Sequence, residues 1–186
     1  RLPSAGGAAW ATAMLAIAGP AGASELDLRL PDALYLQAGL GKNVASASVG
    51  LTWDFAWTHE NALGSWDAYL DLSLGHWRIS NEGATPGHQD APRVGLTPVV
   101  RLQPRGWGRF FVEVGIGLNW IFPIYQNDNR KFSTTFNFGD HLAAGWRFGA
   151  SGDQEVILSI QHYSNAGIKD PNPGGNFLQI RYSQRF

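Results

Sequence analysis

The chain has no cysteine among its 186 residues and only one methionine. Disulfides, zinc–thiolate sites and cysteine nucleophiles are thereby excluded. Charge is also scarce: Asp, Glu, Lys and Arg make up 16% of residues, with a formal net charge of −1. No basic stripe or RNA-binding motif is present, so nucleic acid is not an expected partner. No stretch after the N-terminal region approaches the roughly 18 apolar residues of a membrane-crossing helix. His59, His76, His88 and His141 lack metal-ligand spacing, and no HExxH or Cys/His cluster occurs. Neither a metal nor a cofactor is implied.

What the chain does have is unusual for a soluble domain. It carries 23 glycines and eight tryptophans, and 12% of its residues are aromatic. Low charge with many Gly and Trp suits a membrane β-barrel, whose interfaces carry aromatic girdles. Residues 1–23 read as a secretory signal peptide. Ala8 to Ala18 is mostly small and apolar, Ala21-Gly22-Ala23 has the small-x-small form of a cleavage site, and Ser24-Glu25-Leu26-Asp27 follows at once. Residues 24–186 then form a single domain with no repeat or linker. A secreted, cysteine-free, strand-rich chain points to the outer membrane of a Gram-negative bacterium.

Helical periodicity is absent after residue 24, and eight strands are expected: 33–41, 44–57, 64–77, 93–102, 109–121, 132–149, 155–164 and 176–186. Strand side chains alternate between two faces. In the fifth strand Phe110, Val112, Val114, Ile116, Leu118 and Trp120 oppose Phe111, Glu113, Gly115, Gly117 and Asn119. The second, third and last strands alternate likewise. Several strands exceed the five or six residues usual in soluble proteins and suit a tilted bilayer crossing. Backbone groups in lipid must all be paired, so the sheet has to close. The expected fold is all-β, an eight-stranded antiparallel transmembrane barrel of the bacterial outer membrane. Asp54, Asp67, Asp71, Glu113, Arg93, Arg101, Arg147 and Arg181 fall on the inward face and are expected to fill the lumen with ion pairs.

Eight strands put both termini on the periplasmic side. Gln103–Gly108 and Ala150–Gln154 are then periplasmic turns, and residues 78–92, 122–131 and 165–175 are extracellular loops. The last strand ends on Phe186 after alternating Leu178, Ile180 and Tyr182. With Gln184 as a departure, that ending resembles the assembly signal of bacterial outer-membrane barrels. It implies the barrel assembly machinery as a partner.

The seventh strand carries an anomaly. His162 and Ser164 share parity with Val156, Leu158 and Ile160, so two polar residues sit on an apolar face near the outer end. A serine becomes a nucleophile when a neighbouring base takes its proton. Alone, His-x-Ser is a weak motif, and its spacing favours an interfacial histidine and a solvated loop serine. The surrounding residues are more specific. His162-Tyr163-Ser164-Asn165-Ala166-Gly167-Ile168-Lys169, with Pro171-Asn172, resembles the PagL family of lipid A 3-O-deacylases, and Phe136-Asn137-Phe138-Gly139-Asp140 is similar to a family segment. The resemblance covers the C-terminal third with specific motifs, and upstream it is a match of strand plan.

The resemblance implies a lipid A deacylase, membrane-embedded, acting on lipopolysaccharide of the outer leaflet. His162 would be the general base and Ser164 the nucleophile. Asn165, Gly167, Asn172 and Phe138 would support the site or its oxyanion hole. One member is missing. The family's triad acid is a Glu early in the last strand, and here that stretch reads Gly174-Gly175-Asn176-Phe177. Asn176 can orient an imidazole but brings no charge. Asp140 is the candidate substitute: a sixth–seventh hairpin turning near Ser151 sets it opposite His162. Other readings stay open: a catalytically weak or inactive barrel with a structural or adhesion role, or an outer-membrane palmitoyltransferase. Homodimerisation is compatible with all of them.

Overall fold

The inward residues of the strands are polar or small and the outward ones apolar, and this pattern closes into a ring. A computed structural model describes residues 30–81, 87–127 and 130–186. The expected signal peptide, residues 1–23, lies outside the described residues. Eight strands follow in order: β1 Ala33–Gly41, β2 Val44–Glu60, β3 Gly64–Asn81, β4 Gly87–Pro104, β5 Phe110–Ile121, β6 Phe136–Phe148, β7 Gln154–Ser164 and β8 Gly175–Arg185. Each pairs antiparallel with the next, and β1 pairs with β8 from Ala33↔Arg185 to Gly41↔Phe177, which closes the barrel.

The outer wall is greasy. Leu36, Leu40, Leu74, Leu142, Leu158, Ile160, Leu178 and Ile180 all project from it with more than half their surface exposed. Soluble monomers rarely expose so large an apolar surface, whereas lipid would cover it. Aromatics cluster on the wall near the short turns, where Phe110 stacks on Trp146 and Trp146 on Phe148. Trp120 and Phe136 pair near the opposite rim.

The lumen is filled by paired charges. Arg101 forks onto Glu155 at 2.9 and 3.1 Å and reaches Glu113 at 3.0 Å. Arg147 adds a 3.0 Å bond to Glu155. Further along, Arg181 pairs with Asp71 at 2.8 Å, and the Tyr35 hydroxyl donates to Asp71 at 2.7 Å. Arg185 pairs with Asp54. The network departs from the expected set in three details, the first being that Arg185, the partner of Asp54, is outside that set. Glu155, absent from the expected set, is its hub, and Arg93 bonds the amide oxygen of Asn119 rather than an acid. Low dielectric makes such pairs costly to break.

At the end bearing the long loops the lumen is closed by hydrocarbon. Val44, Trp77, Ile79, Ala91, Ile121, Tyr125, Phe132, Tyr163 and Phe177 form one buried cluster. Trp77 meets the Tyr163 and Phe177 rings at 4.9 and 4.7 Å. This plug explains two corrections. β3 and β4 run on through most of the expected 78–92 loop, because Trp77, Ile79 and Ala91 point inward while His76, Arg78 and Asp90 point outward. Above the lipid, the polarity of alternation inverts. The sixth strand begins at Phe136 rather than 132, because Phe132 turns into the barrel mouth against Tyr125.

Candidate active site

β7 positions the pair. Tyr163, fully buried in the plug, fixes the inward face, so His162 and Ser164 point out of the barrel in line with exposed Leu158 and Ile160. His162 is flanked across the sheet by Asp140 on β6 and Asn176 on β8, and Ser164 by Phe138 on β6. The expected register of the β6–β7 hairpin is thus met at Asp140↔His162.

The flanking residue that bonds the imidazole is Asn176. Its Oδ1 lies 2.5 Å from His162 Nδ1. A carbonyl oxygen facing Nδ1 requires the Nδ1–H tautomer, which leaves the Nε2 lone pair free as a base. Asp140, by contrast, is exposed and makes no hydrogen bond to His162. Register brings it beside the ring, but the orienting bond goes to the other strand.

Gly174 forms the floor under the ring, a role the sequence did not single out. A Cβ on Gly174 would lie 2.7 Å from His162 Cε1 and 3.1 Å from Nε2, and the residue has φ +63°. A positive φ and a ring packed on the bare Cα both demand glycine.

The turn after Ser164 is built on Asn165, which is 1% exposed. Its Nδ2 donates to Ser133 Oγ at 2.8 Å and to Lys169 O at 2.6 Å, and its Oδ1 accepts from Gly167 N at 2.9 Å. Its own N–H donates to Asn172 Oδ1 at 3.1 Å. Asn165, Gly167 and Asn172 are therefore bonded to the loop itself. The nearby donor directed at the serine is the Ala166 N–H, 3.4 Å from Ser164 Oγ, with Ala166 held at φ +54°. The arrangement is an outward-facing serine, a histidine two residues before it on the same strand face with Nδ1 bonded to Asn176, and a backbone donor at the serine oxygen.

The model of the lipid A 3-O-deacylase family, PagL, matches residues 33–185 of the chain. The chain belongs to the PagL family. A lipid A deacylase PagL of Bordetella bronchiseptica is 29% identical over 156 residues, covering 81% of this chain and 82% of that one. The lipid A deacylase PagL of Pseudomonas aeruginosa is 29% identical over 145 residues, covering 76% and 79%. Among solved structures, the crystal structure of the outer membrane enzyme PagL superposes with a TM-score of 0.68 at 26% identity, over 83% of this chain and 99% of that one. A de novo designed transmembrane β-barrel matches at TM-score 0.50 and 11% identity, a likeness of fold alone. PagL membership places the barrel in the outer membrane and makes it a lipid A deacylase.

Proposed function

We propose that this PagL-family barrel removes the ester-linked 3-hydroxyacyl chain at position 3 of lipid A by a serine mechanism on its lipid-facing wall. With both termini periplasmic, the outer end of β7 lies at the lipopolysaccharide leaflet. His162 Nε2 takes the Ser164 proton as Oγ attacks the acyl carbonyl. The Ala166 N–H, which donates to Ser164 Oγ in the resting site, is the donor assigned here to the oxyanion, the kind of preorganised dipole that is often a large catalytic term. Collapse of the tetrahedral intermediate breaks the ester bond, and the imidazolium returns the proton to the departing sugar oxygen. Water, activated by the same histidine, then cleaves the acyl-enzyme and releases a 3-hydroxy fatty acid.

The observation that carries this reading is the outward pair on an otherwise apolar face, with His162 Nδ1 bonded to Asn176. The sealed mouth favours it further. A substrate entering the lumen, as a palmitoyltransferase reading requires, would have to displace the Trp77 plug. The assignment is tested by expressing the protein in a bacterial outer membrane and reading lipid A by mass spectrometry. Loss of one 3-hydroxyacyl group is expected, and its persistence with Ser164→Ala would remove Ser164 from the mechanism.

A second reading, a barrel of reduced turnover, is favoured by the amide at position 176. An asparagine orients the base without stabilising the imidazolium. In a serine protease the Asp→Asn change costs about 10⁴ in turnover, largely through the wrong tautomer. The Oδ1 contact favours the right tautomer, so a smaller deficit is expected here.

A further inference from the structure

Segment 165–174 joins the two halves of the pair. Ser164 precedes it, and Gly174, the floor of the imidazole, ends it. Residues 166–171 and Pro173 are exposed, so among the described residues no protein wall packs over its outer side. Among the described residues, its side-chain bonds to the rest of the molecule come from Arg130 and Ser133 in the neighbouring connection. At the serine end, Ser133 Oγ donates to Lys169 O at 2.6 Å and accepts from Asn165 Nδ2 at 2.8 Å. At the histidine end, Arg130 Nη1 donates to Gly174 O at 3.3 Å.

Both contacts start from fixed backbone. The Arg130 N–H donates to Asn127 Oδ1 at 2.8 Å, and its carbonyl accepts the Asn127 N–H at 2.8 Å. Between Arg130 and Ser133 lies Phe132, 3% exposed in the plug, with its amide bonded to Tyr125 O at 2.9 Å. The connection is thus anchored in the barrel by an aromatic ring and grips the neighbouring segment on either side of that anchor.

We propose that Arg130 and Ser133, on either side of the Phe132 anchor, are a positioning clamp for the His162–Ser164 pair, in which Ser133 sets the turn after Ser164 and Arg130 sets the Gly174 floor beneath His162. The proposal rests on the serine reading above. Neither residue contacts the reacting atoms, so both act through geometry. A site on the outer wall of a barrel cannot be held by packing from outside, and the clamp supplies that order from the rim. Displacing reacting groups by about 1 Å can cost roughly 100-fold in rate.

The test uses the full refolded barrel in detergent with lipid A as substrate, following kcat, KM and the rate at which a lipophilic fluorophosphonate labels Ser164. Ser133→Ala and Arg130→Met are each expected to lower kcat by about 10- to 100-fold, with KM unchanged and labelling slowed in parallel. Ser133→Thr restores both rates. Heat-modifiable mobility reports the folded fraction, and if one variant does not fold the other decides. Wild-type kcat and labelling in a folded variant, or a loss confined to KM, would overturn the clamp. Retained activity in Ser164→Ala would instead overturn the serine reading, and the clamp with it.

Discussion

The imidazole of His162 rests on the bare Cα of Gly174, so closely that a methyl group there would meet Cε1 at 2.7 Å. The two residues lie on opposite sides of the loop that follows Ser164, and the ring's direction is set from below by an absence of side chain. Gly174→Ala should therefore damage activity far more than stability. The left-handed φ of +63° costs a non-glycine residue about 1 kcal/mol, which a closed barrel tolerates. The displaced ring should lower kcat on the order of 100-fold. Refolding yield together with lipid A turnover separates the two effects.

The bond from Asn176 to His162 leads to a gain-of-function prediction. A carboxylate on the same strand would keep the Nδ1–H tautomer and also stabilise the imidazolium formed during attack. Asn176→Glu is expected to raise kcat by one to two orders of magnitude, while Asn176→Leu lowers it. Asp140→Asn distinguishes the two flanks. If Asn176 is the sole orienting partner, the Asp140 change leaves turnover within about twofold, a difference worth under 0.5 kcal/mol. A large loss in Asp140→Asn would instead assign the missing charge to β6.

These two flanks show how far the sequence could be read. Period-two alternation was enough to place β5, β7 and β8 to within a residue, because each strand has lipid on one side and a polar lumen on the other. The alternation failed above the membrane. There the outward face meets water, and Trp77, Ile79 and Ala91 turn inward, so strand was read as loop. Phe132 failed for the related reason that an apolar residue beside a strand can pack over the barrel mouth instead of extending the strand. At the site, strand parity brought His162 and Ser164 together and hairpin arithmetic brought Asp140 opposite. Parity says nothing about which neighbour a ring nitrogen selects, nor that an unremarkable glycine forms its floor. Those depend on rotamers and loop closure, which have no linear signature.

Glu155 offers a test of what holds the barrel together. It accepts from both Arg101 and Arg147 and is 2% exposed. Removing one partner of a buried ion network strands the others, at a cost of about 3–5 kcal/mol. Glu155→Ala should thus lower the midpoint of urea unfolding in detergent or lipid vesicles markedly. Replacing Glu155 and Arg147 together by Gln and Met should cost less than the single truncation, because one stranded guanidinium is removed with the acid. Neither change is near His162, so the turnover of the folded fraction should match wild type.

The outer wall beneath the pair gives the complementary test. Leu158 and Ile160 lie on the same face of β7 as His162, two and one strand-repeats below it, and are 54% and 65% exposed. If that face meets lipid, a charge there must be buried in hydrocarbon. An arginine at a barrel's lipid face costs about 2–4 kcal/mol at the midplane and falls towards zero near the interface. Leu158→Arg, deeper in the wall, should therefore destabilise the barrel in vesicles more than Ile160→Arg. Ser159 is buried in the lumen and bonded to Gln179, so its arginine variant should fail by overpacking in detergent and lipid alike. The Leu158 penalty should instead shrink in detergent micelles, whose hydrocarbon is thinner and more readily wetted. Equal penalties for Leu158→Arg and Ile160→Arg in vesicles would contradict a graded lipid contact beneath His162 and Ser164.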